Sequence, residues 1–179
     1  MITLDSLINW EKVSKTQELD EEFLRKHAEF VDFHQLCQNE KITLSLSFIQ
    51  DYEEKIYFEL LNHYQKLKDD VVDHYFDQFN LMWLILNHNL SEANARKYFD
   101  ELKKENYLPS LLHYKTFSMS FLEDFFDELP KLEMSEYQKL SKAFIEKHVN
   151  ELDWNNLHRN KYIQKDWLKE IKHKNKKGK

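Results

Sequence analysis

Nine histidines and 32 carboxylates give this chain many ways to bind a metal or move a proton. Three groupings have a spacing that chemistry could use. Asp70 and His74, in "DDVVDH" (69–74), are four residues apart and share a face if the segment is helical, as half a metal site would require. His34 and Cys37 form His-x-x-Cys. His27 and His148 hold the same place in two near-identical phrases, "LDEEFLRKHAEFVDF" (19–33) and "LSKAFIEKHVNELDW" (140–154). A zinc site needs three or four converging ligands, and none of these groupings has a second half nearby. Asp70 and His74 then read as an exposed charged face, and Cys37 as a small filler at a helix end. The two histidines read as rings in a packing position. No nucleophile, base and orienting group can be read off as a set. The expectation is no metal, no cofactor and no catalytic residues. An enzyme acting through an unrecognised site ranks third, behind two binding functions.

Composition narrows the elements that could position such residues. Gly178 is the only glycine. Phosphate-binding loops, dinucleotide fingerprints and nucleophile elbows need glycine where backbone must approach a ligand or take a positive φ. None can be built here in standard form, and an all-β chain of 179 residues would carry more turn glycines. Aromatics at 15% argue against intrinsic disorder. The longest apolar run, Leu81 to Leu86, is far too short to cross a membrane, so no membrane partner is expected. "MITLDSLINWEK" lacks the basic and apolar regions of a secretory signal. Cys37, the only cysteine, fits a reducing compartment.

The two phrases belong to a longer repeat. Their first residues mark a phase that recurs at Leu19, Leu44, Leu67, Leu90, Phe117, Leu140 and Ile163, with spacings of 25, 23, 23, 27, 23 and 23. A first-helix anchor lies nine residues upstream, at Trp10, Phe58, Leu81, Leu108, Lys131 and Trp154; in unit two it is Phe33, eleven upstream. Three residues after the anchor the chain is always apolar, from Val13 to Leu157. A ring usually stands eight after the phase marker: His27, Tyr52, Tyr75, Tyr98, Phe125 and His148, then Ile171. A pair such as Phe48-Ile49 or Phe144-Ile145 follows each marker, except in unit four, where it is Asn94-Ala95. Each unit reads as two short helices. Asp20, Ser45, Ser91, Ser118 and Ser141 can cap the second, and Asn9, Asp32, Asn80, Asp153 or Pro130 can open the first. Helices this short are unstable alone and must pack on the next unit. The expected fold is all-α, a short α-solenoid of about seven helix pairs, with a compact irregular helical bundle as the alternative. Units fall near 9–31, 32–56, 57–79, 80–106, 107–129, 130–152 and 153–171. Residues 1–168 are expected to form one domain, and 169–179 a basic, flexible tail.

The phrase Trp-x-x-aliphatic-Ser-x-x-Gln-x-Leu-Ser-x-x-Phe-Ile underlies "WEKVSKTQELDEEFL" (10–24) and "MSEYQKLSKAFIEKHVNELDW" (134–154). It resembles a degenerate helical repeat of the same period in uncharacterised proteins of bacteriophages, mobile elements and giant DNA viruses. The resemblance spans nearly the whole chain; it is clean in units one, six and seven and drifted in two to five. It implies a small interaction protein of phage or virus type acting inside a host cell, and it identifies no target. The expected function is a non-enzymatic protein–protein interaction module of phage or mobile-element type in the host cytoplasm, binding and modulating a host or defence protein. The resemblance transfers no catalytic residue.

Two features depart from the scaffold. Positions one and two after the anchor are mainly polar, yet unit four has Met82 and Trp83, and unit three has Leu60 at the second. Leu60, Met82 and Trp83 are expected either to bind a partner, self-association included, or to be covered in a central unit. Charge is the other feature. The total is −6, and 169–179 carry six lysines and one glutamate, which leaves −11 on 1–168. Such a body is unlike a duplex-DNA binder, and nucleic acid is not the expected partner. The alternative function is an acidic mimic that competes with nucleic acid for its binding protein.

Overall fold

The computed structural model describes residues 7–87 and 90–177, with side chains as far as Lys174. Residues 1–6 of the segment weighed as a secretory signal, and Lys179 of the basic tail, lie outside the described residues. Among the described residues the chain is all-α, with fifteen α-helices and no strand. Fourteen fall into pairs along the chain: α1 (Trp10–Thr16) with α2 (Glu21–Lys26), α3 (Phe33–Leu36) with α4 (Leu46–Asp51), α5 (Phe58–Tyr64) with α6 (Asp69–His74), and α7 (Leu81–Leu86) with α8 (Glu92–Lys97). The second set is α10 (Leu108–Tyr114) with α11 (Met119–Asp124), α12 (Lys131–Tyr137) with α13 (Lys142–Lys147), and α14 (Trp154–Arg159) with α15 (Lys165–Lys177). The odd helix, α9 (Phe99–Lys104), takes up the longest spacing, 27 residues from Leu90 to Phe117.

Helix starts are written in the side chains. Asn9, Asp20, Asp32, Ser45, Asn80, Ser118, Ser141 and Asp153 each accept a bond from the backbone N–H three residues on. Ser91 does the same for Asn94. A free first-turn donor is satisfied each time. The residue three after each anchor then points inward: Leu36, Leu61, Leu84, Leu111, Met134 and Leu157 are fully buried. Lys131 stands where other units have an apolar anchor. Its stem buries, and its ammonium lies 4.1 Å from the Phe126 ring centroid and donates to the Leu129 carbonyl at 3.0 Å. That burial lowers its pKa.

Helix ends are closed from the next unit. Asn39 Nδ2 donates to the Ser14 and Gln17 carbonyls at 2.8 and 2.7 Å. Gln65 Nε2 donates to the Leu36 carbonyl at 2.8 Å. Asn87 Nδ2 reaches the Asn62 and His63 carbonyls at 2.8 and 2.7 Å. Gln138 Nε2 takes those of Leu112 and Lys115 at 2.6 and 2.7 Å, and Asn160 Nδ2 those of Ser135 and Gln138, both at 2.8 Å. Each carboxamide ends the first helix of its own unit and caps the first helix of the unit before. Asn39, Gln65, Gln138 and Asn160 are buried. The two residue types follow position: glutamine stands seven after its anchor and asparagine six after, so the longer side chain goes with the later position.

A second tie runs beside this ladder. Ser14 Oγ accepts from Asp32 N–H at 3.1 Å and Ser135 Oγ from Asp153 N–H at 3.0 Å, while Asn62 Nδ2 donates to the Asn80 carbonyl at 2.9 Å. Cys37 holds the same position.

The chain divides into two compact units, Met1–Asn94 and Ala95–Lys179. In the first unit α1 packs on α3, α5 on α7 and α4 on α6. In the second α10 packs on α12, α12 on α14 and α14 on α15. α15 runs to Lys177, into the basic segment, and Leu168 and Ile171, one turn apart on it, are both buried.

Gln138 also accepts from the Phe117 N–H at 2.9 Å, so its whole carboxamide is used inside the protein. Gln138→Leu leaves two carbonyls and one N–H without that partner. A loss of about 3 kcal/mol or more is expected in urea-unfolding experiments.

Candidate binding surfaces

The three residues singled out by the sequence lie on two packed helices, Leu60 on α5, Met82 and Trp83 on α7. All three are half-buried, whereas Leu84 and Ile85 on the same helix are buried. Trp83 meets His63 edge-on, with ring centroids 3.9 Å apart. Leu60 and His63 are one turn apart on α5, so the indole lies over the face that carries Leu60. The arrangement is an aromatic and aliphatic surface held by packing yet still open to solvent.

The histidine groupings resolve into packing. His27 lies among Trp10 and Phe23, with centroids at 5.4 and 4.5 Å. His148 stacks on Phe126 at 3.7 Å and sits between two carboxylates, with Nε2 3.2 Å from Glu123 and Nδ1 3.4 Å from Glu151. Glu123 also pairs with Lys147; that bond first, then the one to His148, lowers the Glu123 pKa. Both histidines fill the position held by Tyr52 and Tyr75 elsewhere. Asp70 bonds the Val71 N–H at 2.9 Å, and His74 faces Gln50 at 3.4 Å. Among the described residues no cluster of three metal-ligating side chains forms, and no helix is long and apolar enough to cross a membrane.

A different surface, in the second unit, escaped the sequence reading. Connections inside its helix pairs carry Lys115, Lys139 and Lys161 and no carboxylate. Connections between pairs carry Glu105, Asp127, Glu128, Glu151 and Asp153 and no lysine or arginine. Charge is thus sorted by the kind of connection. On the lysine side the ends of α10, α12 and α14 form a cleft of about 280 Å³. His113, Tyr114, Tyr137 and Tyr162 supply its rings. Lys115, Arg159 and Lys161 supply its cations, and Glu136 its carboxylate. His113 lies 4.3 Å from the Tyr137 ring. Tyr162 has the Lys139 and Lys161 ammonium groups 5.2 and 5.0 Å from its centroid. The signal was present as His-Tyr-Lys (113–115), Tyr-Gln-Lys (137–139) and Arg-Asn-Lys-Tyr (159–162), a ring and a cation at each first-helix end. Columns chosen for apolar recurrence pass over it.

No protein-family model matches the chain, nor does any curated protein or solved structure. Function must therefore be argued from these surfaces.

Cys37 is fully buried, and burial pushes its thiol up to about 11. The thiolate is the reactive form, and it is scarce near pH 8. Native protein at pH 8 should therefore react with a disulfide reagent far more slowly than protein in denaturant. Equal rates would place the thiol at the surface.

Proposed function

We propose that this chain is a non-enzymatic binding module that holds a protein partner on the surface made by Leu60, Met82 and Trp83. The observation that carries the reading is the half-exposed Trp83 ring, fixed against His63 and flanked by aliphatic side chains on neighbouring helices. A rigid aromatic anchor of this kind is what interface centres use, because it buries large area at small entropic cost. The repeat resemblance supports a partner inside a host cell, a host or defence protein whose activity the module alters. A second copy of the chain is the other protein that such a surface could receive.

The acidic connections of the second unit favour one further reading, a mimic that competes with nucleic acid for its binding protein. The two readings differ in salt dependence. Apolar docking persists as ionic strength rises, and charge mimicry weakens steeply.

Affinity capture with the whole chain, read by mass spectrometry, tests the first reading. Trp83→Glu should remove a reproducible partner while helicity and melting temperature stay near those of the parent. Met82→Glu provides a second variant if Trp83→Glu fails to fold. A partner retained by both folded variants would sink the assignment of this surface.

A further inference from the structure

We infer that the cleft at the ends of α10, α12 and α14 binds single-stranded nucleic acid, bases against its rings and phosphates against its cations. Single strands are held by two things together, aromatic faces on which bases stack and cationic groups that follow the backbone. The cleft presents both. Tyr114 and Tyr162 are 45% and 38% exposed, and a base at Tyr162 would stack in place of one of the two lysine ammonium groups now over its ring. Arg159 and Lys161 form no ion pair among the described residues, so their charge is available to a phosphate. A neighbouring hollow of about 260 Å³ shares His113, Tyr114 and Tyr137 and continues the surface along α10 and α12. A strand could therefore lie across more than one stacking place.

Helix C-termini ordinarily repel anions, because their free carbonyls point outward. Here part of that charge is bonded inside the protein. Gln138 takes the Leu112 and Lys115 carbonyls, and Asn160 those of Ser135 and Gln138. Lys115 and Lys161 line the same cleft and add positive charge.

Glu136 lines the same cleft, and its carboxylate repels phosphates and acidic side chains alike. To a base it is an acceptor for the exocyclic amino group of cytosine or adenine. The chain's net charge of −6 does not oppose this reading, since it averages over two kinds of connection with opposite sign.

The test is fluorescence anisotropy of the whole protein with a labelled single-stranded oligocytidine of about twelve nucleotides at low salt. The expected result is saturable binding that weakens linearly with salt on a log–log plot. Arg159→Glu with Lys161→Glu should weaken it about tenfold or more, and Tyr114→Ala with Tyr162→Ala by a similar factor. Lys172→Glu, on the exposed part of α15, should leave it within about twofold. Melting curves for every variant separate lost binding from lost fold, and Tyr162→Phe, which keeps the ring, should restore affinity. Three results would overturn the proposal: no binding at low salt, polyglutamate competing as well as unlabelled oligonucleotide, or binding that survives the cleft variants and fails in Lys172→Glu.

Discussion

The rest of the structure depends on a carboxamide that five units, those of Asn39, Gln65, Asn87, Gln138 and Asn160, place at or just beyond the end of the first helix. A seven-residue helix leaves more carbonyls free than it bonds internally. Proteins usually close such ends locally, with a left-handed residue that is most often glycine. This chain has one glycine, Gly178, and the only positive φ among the described residues other than glycine is at Asn106. Its first helices stop instead by turning extended, as at Gln17, Gln65, Lys115, Gln138 and Asn160. The free carbonyls are bonded by the amide of the following unit. The glycine count, which excluded whole classes of enzyme, thus has a positive counterpart: end closure is done between units, so it needs no left-handed backbone. Glutamine at one position and asparagine one residue earlier perform the same task. That substitution is how units with first helices of different length keep a common contact.

Much of this was legible and part was not. Helix pairing, nine of the caps and the buried column from Leu36 to Leu157 follow from local side-chain chemistry and from a period that repeats. Gln138 was visible as a recurring letter, but its partners lie 21 to 26 residues back, and nothing at that distance declares itself in one sequence. Asn39 and Asn160 hid the same role by standing one place earlier. The helical course of α15 beyond Lys169 was masked by lysines, although Ile171 was already in the repeat. Leu60, Met82 and Trp83 were found because they break a polar column. The cleft of Tyr114, Arg159 and Tyr162 was not, because its residues come from three helix ends and sit in the connections.

Charge teaches a related lesson. A net charge of −11 on 1–168 says nothing of where the charges lie. In the second unit the connections between pairs carry acids and those within pairs carry lysines, while the helices carry both signs. Some acids serve locally as caps, as Asp153 does, and others pair with cations of neighbouring units, as Asp124 does with Arg96 and Glu128 with Lys103. Surface pairs of this kind contribute little stability. Two carboxylates remain on the lysine side, Glu136 in the cleft and Glu133 in the hollow beside it.

The capping carboxamides also impose a direction in time. Each closes the helix that precedes it, never the one that follows. A chain emerging from the ribosome therefore exposes a first helix whose end stays open until roughly 20 more residues have been made, a delay of seconds at ordinary elongation rates. At α14 a side chain of its own connection does this work: Lys165 bends back, and its ammonium donates to the carbonyls of His158 and Asn160. That end closes within its own helix pair, so its closure waits for no later unit.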